Sequence, residues 1–265
     1  MMGRFIAAMD HSGGSTGGVL ERYGQLYTED NKMTKVHAMR LRMVNSADFN
    51  NKNIWGAILY QDTVARGMVA VLKNKGVETF LKIDSGCNDN GTLKDFDVQQ
   101  MCAYANANGC YGTKMRSIVK DEKDLDAILD QQFRFAEIIS KSGLMPIIEP
   151  EVPIDHVQKR TVEHKLRDQL VERLDSFQGK CILKLTLPEQ KDFYSNIMQH
   201  EAVHMIVGLS GGYSTEEACR RLAQNEGMSA SFSRALSERL KYDLTPTSFN
   251  AIISENINMI VEAST

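Results

Sequence analysis

A lysine in the middle of a short apolar run is the first residue whose position suggests chemistry. The run extends from Cys181 to Leu187 and alternates as a buried strand does, with Lys184 at its centre. Burial of an ammonium group is costly unless the charge is paired or neutralised. Lys184 is therefore either a partner of a buried carboxylate or a reactive amine. For a lysine taken alone, the ion pair is the more common outcome.

Charged side chains also lie toward the carboxyl ends of other strand-like runs. Each occupies the face of its strand opposite the apolar one, as Lys184 does. The set holds four cations and three carboxylates: Asp10, Lys82, Lys114, Arg116, Glu149, Glu151 and Lys184. Any one of them alone predicts a structural ion pair. Their convergence at strand ends predicts a catalytic site, in which Glu151 is a candidate supporting residue.

The predicted chemistry is that of an amine with a carbonyl compound. A free lysine has a pKa of about 10.4, so its amine is almost entirely protonated at neutral pH. We expect the ammonium of Lys114 and partial desolvation to favour the neutral form of Lys184. The neutral amine attacks a carbonyl to give a carbinolamine and then an iminium ion. Glu149 is placed to move the protons of these steps, and Asp10 to remove a hydroxyl proton from the substrate.

Two groups of small polar residues predict phosphate binding. Glycines let backbone N–H groups approach an anion, and loops after the last two strands of a barrel commonly hold phosphate. The first group lies at the ends of the last two strand-like runs and directly after the seventh: Ser210, Gly211, Gly212, Ser231, Ser233 and Arg234. The second follows the first run and adds two cations: Ser12, Ser15, Lys82 and Arg116. Two such groups predict a sugar phosphate with a phosphate at each end.

The elements that must position these residues follow a regular order. Eight strand-like runs recur: Phe5–Asp10, Trp55–Tyr60, Thr79–Asp84, Gly112–Arg116, Met145–Val152, Cys181–Leu187, Met205–Ser210 and Ser229–Arg234. Helical patterns lie between them, including Asp124–Lys141, Val157–Asp175 and a segment that Ser214 caps and that stops near Gly227. This order predicts an α/β protein, a (β/α)₈ TIM barrel in a single domain over residues 1–265. A doubly wound open sheet is the alternative.

Composition excludes several classes of protein. Charged residues make up 25% of the 265 residues and the net charge is −3, which indicates no binding of nucleic acid or of anionic membranes. There is no apolar run long enough to span a bilayer. The five cysteines are odd in number and form no CxxC pair, so we expect neither a disulfide framework nor a zinc site. A reducing compartment, the cytoplasm, is the simplest expectation, and a homo-oligomer is compatible with the sequence.

These residues and spacings resemble those of a known family. The matching stretches run along nearly the whole chain in family order: 7–16, 56–60, 80–84, 112–116, 146–151, 183–186, 209–214 and 230–236. Together they are similar to the class I fructose-bisphosphate aldolases of the shorter bacterial type. The resemblance implies reversible cleavage of fructose 1,6-bisphosphate to dihydroxyacetone phosphate and glyceraldehyde 3-phosphate, a reaction of glycolysis and gluconeogenesis. It implies no metal and no other cofactor.

The resemblance also implies roles for individual residues. Lys184 forms the Schiff base with C2 of the ketose, Lys114 and Glu149 handle protons, and Asp10 deprotonates the C4 hydroxyl. The C1 phosphate binds at Ser210, Gly211, Gly212, Ser233 and Arg234, with Ser231 in the same loop. The C6 phosphate binds at Ser12, Ser15, Lys82 and Arg116.

Two departures from the family pattern stand out. His11 follows Asp10 where an acidic or amide residue is more usual, and we interpret it as a solvent-facing loop residue. The last tyrosine is Tyr242, so no tyrosine of the C-terminal tail is available to protonate the enamine. A buried carboxylate, or a water held by it, is the expected substitute. Two alternative functions stay open: a related Schiff-base aldolase or transaldolase-like enzyme with another acceptor, and a catalytically silent barrel that binds sugar phosphates.

Overall fold

A barrel of eight parallel strands forms the centre of the molecule. The computed structural model describes residues 3–265, and the strands follow one another around the sheet in chain order. The strands are β1 Phe5–Met9, β2 Ile54–Leu59, β3 Glu78–Lys82, β4 Gly112–Ile118, β5 Met145–Glu151, β6 Cys181–Thr186, β7 Val203–Leu209 and β8 Ser229–Ala230. The predicted single-domain (β/α)₈ barrel is confirmed. Met1 and Met2 of the predicted domain lie outside the described residues.

Helices follow the strands and surround the barrel. They are α1 Gly14–Tyr23, α2 Lys32–Val44, α3 Gln61–Ala65, α4 Met68–Lys73, α5 Val98–Ala107, α6 Leu125–Lys141, α7 Lys159–Ser176, α8 Ser195–Met198, α9 Thr215–Leu222, α10 Arg234–Ser237 and α11 Pro246–Ala263. The predicted patterns at 124–141 and 157–175 correspond to α6 and α7 within two residues. Along residues 3–265, no helix is both long enough and apolar enough to cross a bilayer.

The last strand is shorter than predicted, because the chain bends after Ala230 while still bridging its neighbours. The amide of Ser231 donates to the carbonyl of Gly208 in β7 at 2.7 Å. The carbonyl of Phe232 then accepts from the amide of Ala8 in β1 at 3.1 Å, which nearly closes the barrel. Arg234, which the sequence placed at the end of this strand, instead begins α10.

The helix after β7 also ends earlier than predicted. Its start is as expected, since the hydroxyl of Ser214 accepts from the amide of Glu217 at 3.2 Å. Its end is at Leu222 and not near Gly227. The side chain of Asn225 donates to the carbonyl of Arg221 at 2.9 Å, so a turn replaces further helix there.

Two apolar layers separate the inside of the barrel from its outer surface. The outer layer packs strands such as β6, through Leu183 and Leu185, against the helices. The inner layer is small and fills the lower part of the barrel: Ile6, Ala8, Ile58, Phe80, Ile147, Ile182 and Val207. A Cβ atom at Gly112 would clash with the carbonyl oxygen of Met145 in β5 and would lie 2.8 Å from the Phe80 ring, so a glycine is needed where this ring fills the barrel. The polar inward-facing residues lie above this layer.

Candidate active site

One cavity at the carboxyl ends of the strands brings the predicted site residues together. It has a volume of about 1100 Å³ and is lined by every residue assigned to catalysis or phosphate binding from the sequence, and by Glu151. They come from β3, β4, β5 and β6, from the loops after β1, β7 and β8, and from the starts of α1 and α10. Parallel strands that end at one rim place these side chains together although they are far apart in sequence.

A chain of ion pairs crosses the base of this cavity. The Nζ atom of Lys114 lies 2.7 Å from Oδ2 of Asp10 and 2.8 Å from Oε2 of Glu149. The other oxygen of Glu149, Oε1, lies 3.1 Å from Nζ of Lys184. The chain of ion pairs therefore runs from the residue after β1 through β4 and β5 to β6. All four residues are at least nine-tenths buried, so water screens their charges little.

This pairing fixes the charge states of two members. Burial alone would raise the pKa of the Asp10 carboxyl, but Lys114 and then Lys184 hold it well below its usual range. Burial would lower the pKa of Lys114, but Asp10 and Glu149 hold it above the ordinary value. Asp10 is thus a carboxylate and Lys114 an ammonium at neutral pH.

The position of Glu149 refines the arrangement expected from the sequence. Lys114 was expected to act on Lys184 directly, as a second ammonium beside it. The carboxylate of Glu149 instead contacts both ammonium groups, one with each oxygen. Among residues 3–265 it is the one carboxylate within 4 Å of the Lys184 ammonium, so Glu149 is the nearest proton acceptor for that amine.

The two cations assigned to the C6 phosphate are held by carboxylates. Lys82 contacts Oδ1 of Asp84 at 2.9 Å, and Arg116 contacts Oε2 of Glu151 at 2.5 Å. The other Asp84 oxygen accepts from the amide of Arg116 at 3.2 Å. Glu151 thus contacts a site cation, as expected of a supporting residue. Asp84 was missed by sequence reasoning, although it ends the same strand-like run as Lys82.

The loop after β7 needs its two glycines. Gly211 and Gly212 have φ values of +57° and +114°, which side chains other than glycine rarely adopt. A Cβ atom at Gly211 would lie 2.5 Å from a methyl carbon of Ile154. The guanidinium of Arg234 donates to the carbonyl of Gly212 at 3.2 Å, which joins the loops after β7 and β8. The two glycines and this cation therefore line the same part of the cavity.

His11 is not the solvent-facing residue that the sequence indicated. It is half-buried on the cavity wall, and its Nε2 atom lies 3.0 Å from the hydroxyl of Ser233. Burial lowers the pKa of its ring to about 4, so the imidazole is neutral at pH 7. The contact links the loop after β1 to the loop after β8.

Arg40 is a second residue that sequence reasoning missed. Its side chain is buried, donates to the carbonyl of His11 at 2.7 Å and donates to the Thr63 hydroxyl at 2.6 Å. Burial lowers its pKa to about 10. It holds the turn after Asp10 in place. An arginine between Val36 and Met43 on the buried side of α2 is the signal that could have revealed it.

A metal site is not evident in the part of the chain that the structure covers. Within residues 3–265, no three or more His, Cys, Asp or Glu side chains are arranged to hold a metal ion. The arrangement instead offers a buried amine, a carboxylate that pairs it with a second ammonium group, and two groups of residues suited to bind anions.

Comparisons with known proteins agree with this arrangement. Residues 1–173 match the family described as "Glycolytic: Fructose-bisphosphate aldolase class-I". The chain is 41% identical to the fructose-bisphosphate aldolase class 1 of Clostridium acetobutylicum, over 98% of this chain and 95% of that protein. It is 40% identical to the class 1 enzyme of a Synechocystis species, over 98% and 93%. These alignments extend well beyond residue 173 and so include β6 and Lys184.

A solved structure shares the fold. The fructose-bisphosphate aldolase of Plasmodium falciparum, in a complex with TRAP and a small-molecule inhibitor, superposes with a TM-score of 0.76 at 20% identity, over 99% of this chain and 90% of that one. At this identity the likeness concerns the barrel alone. The family match over more than half of the residues, and the identity of about two in five to the curated enzymes, show that the chain belongs to the class I fructose-bisphosphate aldolase family.

Proposed function

We propose that Lys184 forms a Schiff base with C2 of fructose 1,6-bisphosphate and that the ion-pair chain moves the protons of the reaction. The observation that carries this proposal is the contact of Glu149 with both lysines, 3.1 Å from Lys184 and 2.8 Å from Lys114. A proton lost by Lys184 has one carboxylate in immediate reach, and Lys114 compensates for changes in the charge of that carboxylate.

The reaction begins when Glu149 accepts a proton from Lys184. The neutral amine adds to C2, and the carbinolamine loses water as a proton returns to the departing hydroxyl group. The resulting iminium ion withdraws electrons from the C3–C4 bond, which is the task that a metal ion performs in other aldolases.

Asp10 is proposed as the base that opens the carbon chain. It is ionised, as a base must be, because Lys114 stabilises its carboxylate at 2.7 Å. When it takes the C4 hydroxyl proton, the C3–C4 bond breaks, glyceraldehyde 3-phosphate leaves and the electron pair passes to the iminium nitrogen as an enamine. Protonation at C3 and hydrolysis then release dihydroxyacetone phosphate and regenerate Lys184. A buried carboxylate, or a water that it holds, stays the predicted donor of the C3 proton.

The phosphates are proposed to bind at opposite ends of the cavity. The C1 phosphate lies against Ser210, Gly211, Gly212, Ser231, Ser233 and Arg234, where backbone amides and a guanidinium converge. The C6 phosphate lies against Ser12, Ser15, Lys82 and Arg116. A cytoplasmic location and a homo-oligomer stay predictions. Sugar phosphates as substrates follow from the family.

Trapping of the intermediate tests the proposal. The protein is incubated with dihydroxyacetone phosphate, reduced with borohydride and digested with trypsin. An adduct on Lys184 blocks cleavage there, so a modified peptide spanning 181–191 is expected in place of the two shorter ones. The Lys184→Ala variant is the control and should show no adduct. An adduct on another lysine, or none, would overturn the assignment.

The alternatives are tested by two further assays. Turnover in the presence of a chelator should match turnover without it. Equal kcat/KM on fructose 1-phosphate and on the bisphosphate would favour the aldolase of different acceptor specificity. Absence of turnover on both, with binding retained, would favour the silent barrel.

A further inference from the structure

An arginine without an assigned role lies at the mouth of the cavity. Ser15, Gly18 and Arg22 are spaced three and four residues apart on α1, so they share one face of the helix, and all three line the cavity. The carbonyl of Arg22 accepts from the Lys241 ammonium at 2.6 Å, which fixes the end of the helix that carries it. Arg22 is therefore held at the rim on a fixed backbone.

The glycine one turn earlier leaves space for this side chain. A Cβ atom at Gly18 would lie 3.5 Å from a terminal nitrogen of Arg22 and would meet nothing else within 4 Å. The guanidinium thus lies over the glycine, along the helix and toward the cavity. A longer side chain at position 18 would occupy the same space.

Arg22 faces a second cation. The end of α1 that carries Arg22 lies against the segment that follows α10, through the hydrogen bond from Lys241, and Arg234 begins α10. In agreement with this proximity, the charge of Arg234 lowers the pKa of Arg22 after the effect of burial, whereas Glu21 opposes the shift. A Cβ atom at Gly212, in the loop assigned to the C1 phosphate, would lie 3.4 Å from a terminal nitrogen of Arg234. Arg22, Arg234 and Gly212 therefore border one end of the cavity.

Among residues 3–265, these two arginines differ from the other cations of the site in having no carboxylate within ion-pair distance. Lys82, Arg116, Lys114 and Lys184 each have an acidic oxygen within 3.1 Å. Within residues 3–265, neither Arg22 nor Arg234 has a carboxylate within 4 Å, although Arg234 donates to the carbonyl of Gly212. Planar guanidinium donors that lack a carboxylate are suited to a dianionic phosphate, which accepts hydrogen bonds from both.

We propose that Arg22 binds the C1 phosphate of the substrate together with Arg234, and so contributes to the affinity for the dihydroxyacetone phosphate half of the sugar. The inference rests on the proposed function, because it uses the same cavity and the same end for this phosphate. Arg22 is exposed, so its loss should weaken binding without unfolding the barrel.

Steady-state kinetics of Arg22→Met test the proposal. Methionine keeps most of the apolar stem and removes the charge. We expect KM to rise roughly five- to tenfold for fructose 1,6-bisphosphate and by a similar factor for fructose 1-phosphate, with kcat little changed, since a hydrogen bond to a charged group is lost in the bound state. The dependence of kcat/KM on salt should also become shallower. Arg22→Lys should restore part of the affinity.

A matched control is Arg66→Met. Arg66 is an exposed arginine whose partner is Asp62, at 2.7 Å, and it does not line the cavity. Its replacement should leave both KM values unchanged. If Arg22→Met raises KM for the bisphosphate alone, Arg22 contacts the C6 phosphate and the assignment is overturned. If it changes neither KM, Arg22 binds no phosphate, and a persistent borohydride adduct on Lys184 shows that the proposed function itself still holds.

Discussion

Two buried lysine networks lie on the two sides of β6, and only one opens on the cavity. Lys184 is 4% exposed and points into the barrel, whereas Lys159 on α7 is 6% exposed and lies outside it, at the carboxyl end of the same strand. In both networks a buried lysine pairs with a buried glutamate. What differs is the number of acceptors around each ammonium group.

The ammonium of Lys159 is saturated. It donates to Glu163 at 2.6 Å, to the carbonyl of Leu187 at 3.0 Å and to Glu189 at 3.0 Å, which uses its three protons. Arg221 adds a second cation beside Glu189 at 3.3 Å. This network fastens the segment after β6 to α7 and α9, and it has no capacity left for a ligand.

The ammonium of Lys184 is undersaturated. Glu149 is its one carboxylate partner among the described residues, and Lys184 itself lines the cavity. A buried lysine becomes a candidate nucleophile when its surroundings hold it in place and leave part of its coordination to the substrate. The two lysines therefore differ in how many hydrogen-bond acceptors surround the ammonium group and in whether the residue lines the cavity, and not in how deeply they are buried.

Replacement of the two lysines should separate the two networks most strongly, and the difference should be in turnover. Lys184→Ala should lower kcat on fructose 1,6-bisphosphate by about 10⁴-fold or more, because no Schiff base forms. Lys159→Met removes the lysine of the saturated network and should keep kcat within about threefold of the wild-type value. Initial rates of cleavage measure both. Near-normal turnover of the Lys184 variant would contradict the assignment of the nucleophile.

A matched pair of glutamate variants gives the next largest effect. Glu149→Gln should lower kcat by about 10²- to 10³-fold, because the nearest proton acceptor for Lys184 is lost. Glu163→Gln makes the same change in the saturated network and should leave kcat nearly unchanged. Single-turnover rates of Schiff-base formation should locate the Glu149 defect in that step. An equal loss of turnover in both variants would mean that the two networks are not functionally distinct.

The Lys159 network should matter for the stability of the fold and not for turnover. Lys159→Met leaves Glu163 buried without its cation, and we expect the free energy of unfolding to fall by about 3 kcal/mol, as for other broken buried pairs. Arg173→Met, which removes the cation that pairs with the exposed carboxylates of Asp126 and Asp130, should cost less than about 1 kcal/mol. Urea denaturation measures both variants. If the Lys159 variant is folded under the assay conditions and its kcat still falls by much more than the expected factor of about three, the purely structural role is contradicted.

The smallest expected effect concerns His11, a titratable group of the cavity with no direct ion pair in residues 3–265. Burial is the main cause that lowers its pKa to about 4; Asp10 opposes the shift, and Arg40, Arg22 and Lys114 add to it. An unfolded histidine binds a proton near pH 6.5 and the folded one only near pH 4, so stability falls as the pH drops through this interval.

His11→Gln should remove that part of the pH dependence. Allowing for the partial exposure of the ring, we expect the wild type to lose about 1 kcal/mol more than the variant between pH 7 and pH 5. Denaturant unfolding at the two pH values measures the difference. The same pH dependence in both proteins would show that His11 titrates normally in the folded state.

The sequence alone determined the barrel and the membership of the site. The repeat of strand and helix needs only local hydrophobic periodicity, and alternation within each strand places Asp10, Glu149 and Lys184 on the inward face. The glycines after β7 were visible because their conformation is a local property of the loop. Since parallel strands end at one rim, these local features were enough to place the predicted residues around one cavity.

The tertiary structure decided which charges are paired and which are free. The placement of Glu149 between Lys114 and Lys184 and the saturation of Lys159 depend on contacts between elements distant in the chain. So does the short β8, whose following residues bridge to β7 and β1. Such contacts depend on strand register, barrel curvature and side-chain direction, which no single segment encodes. The sequence therefore predicts that Lys184 lies in the site, and only the folded barrel shows that this lysine lines the cavity with a single carboxylate of residues 3–265 beside its amine.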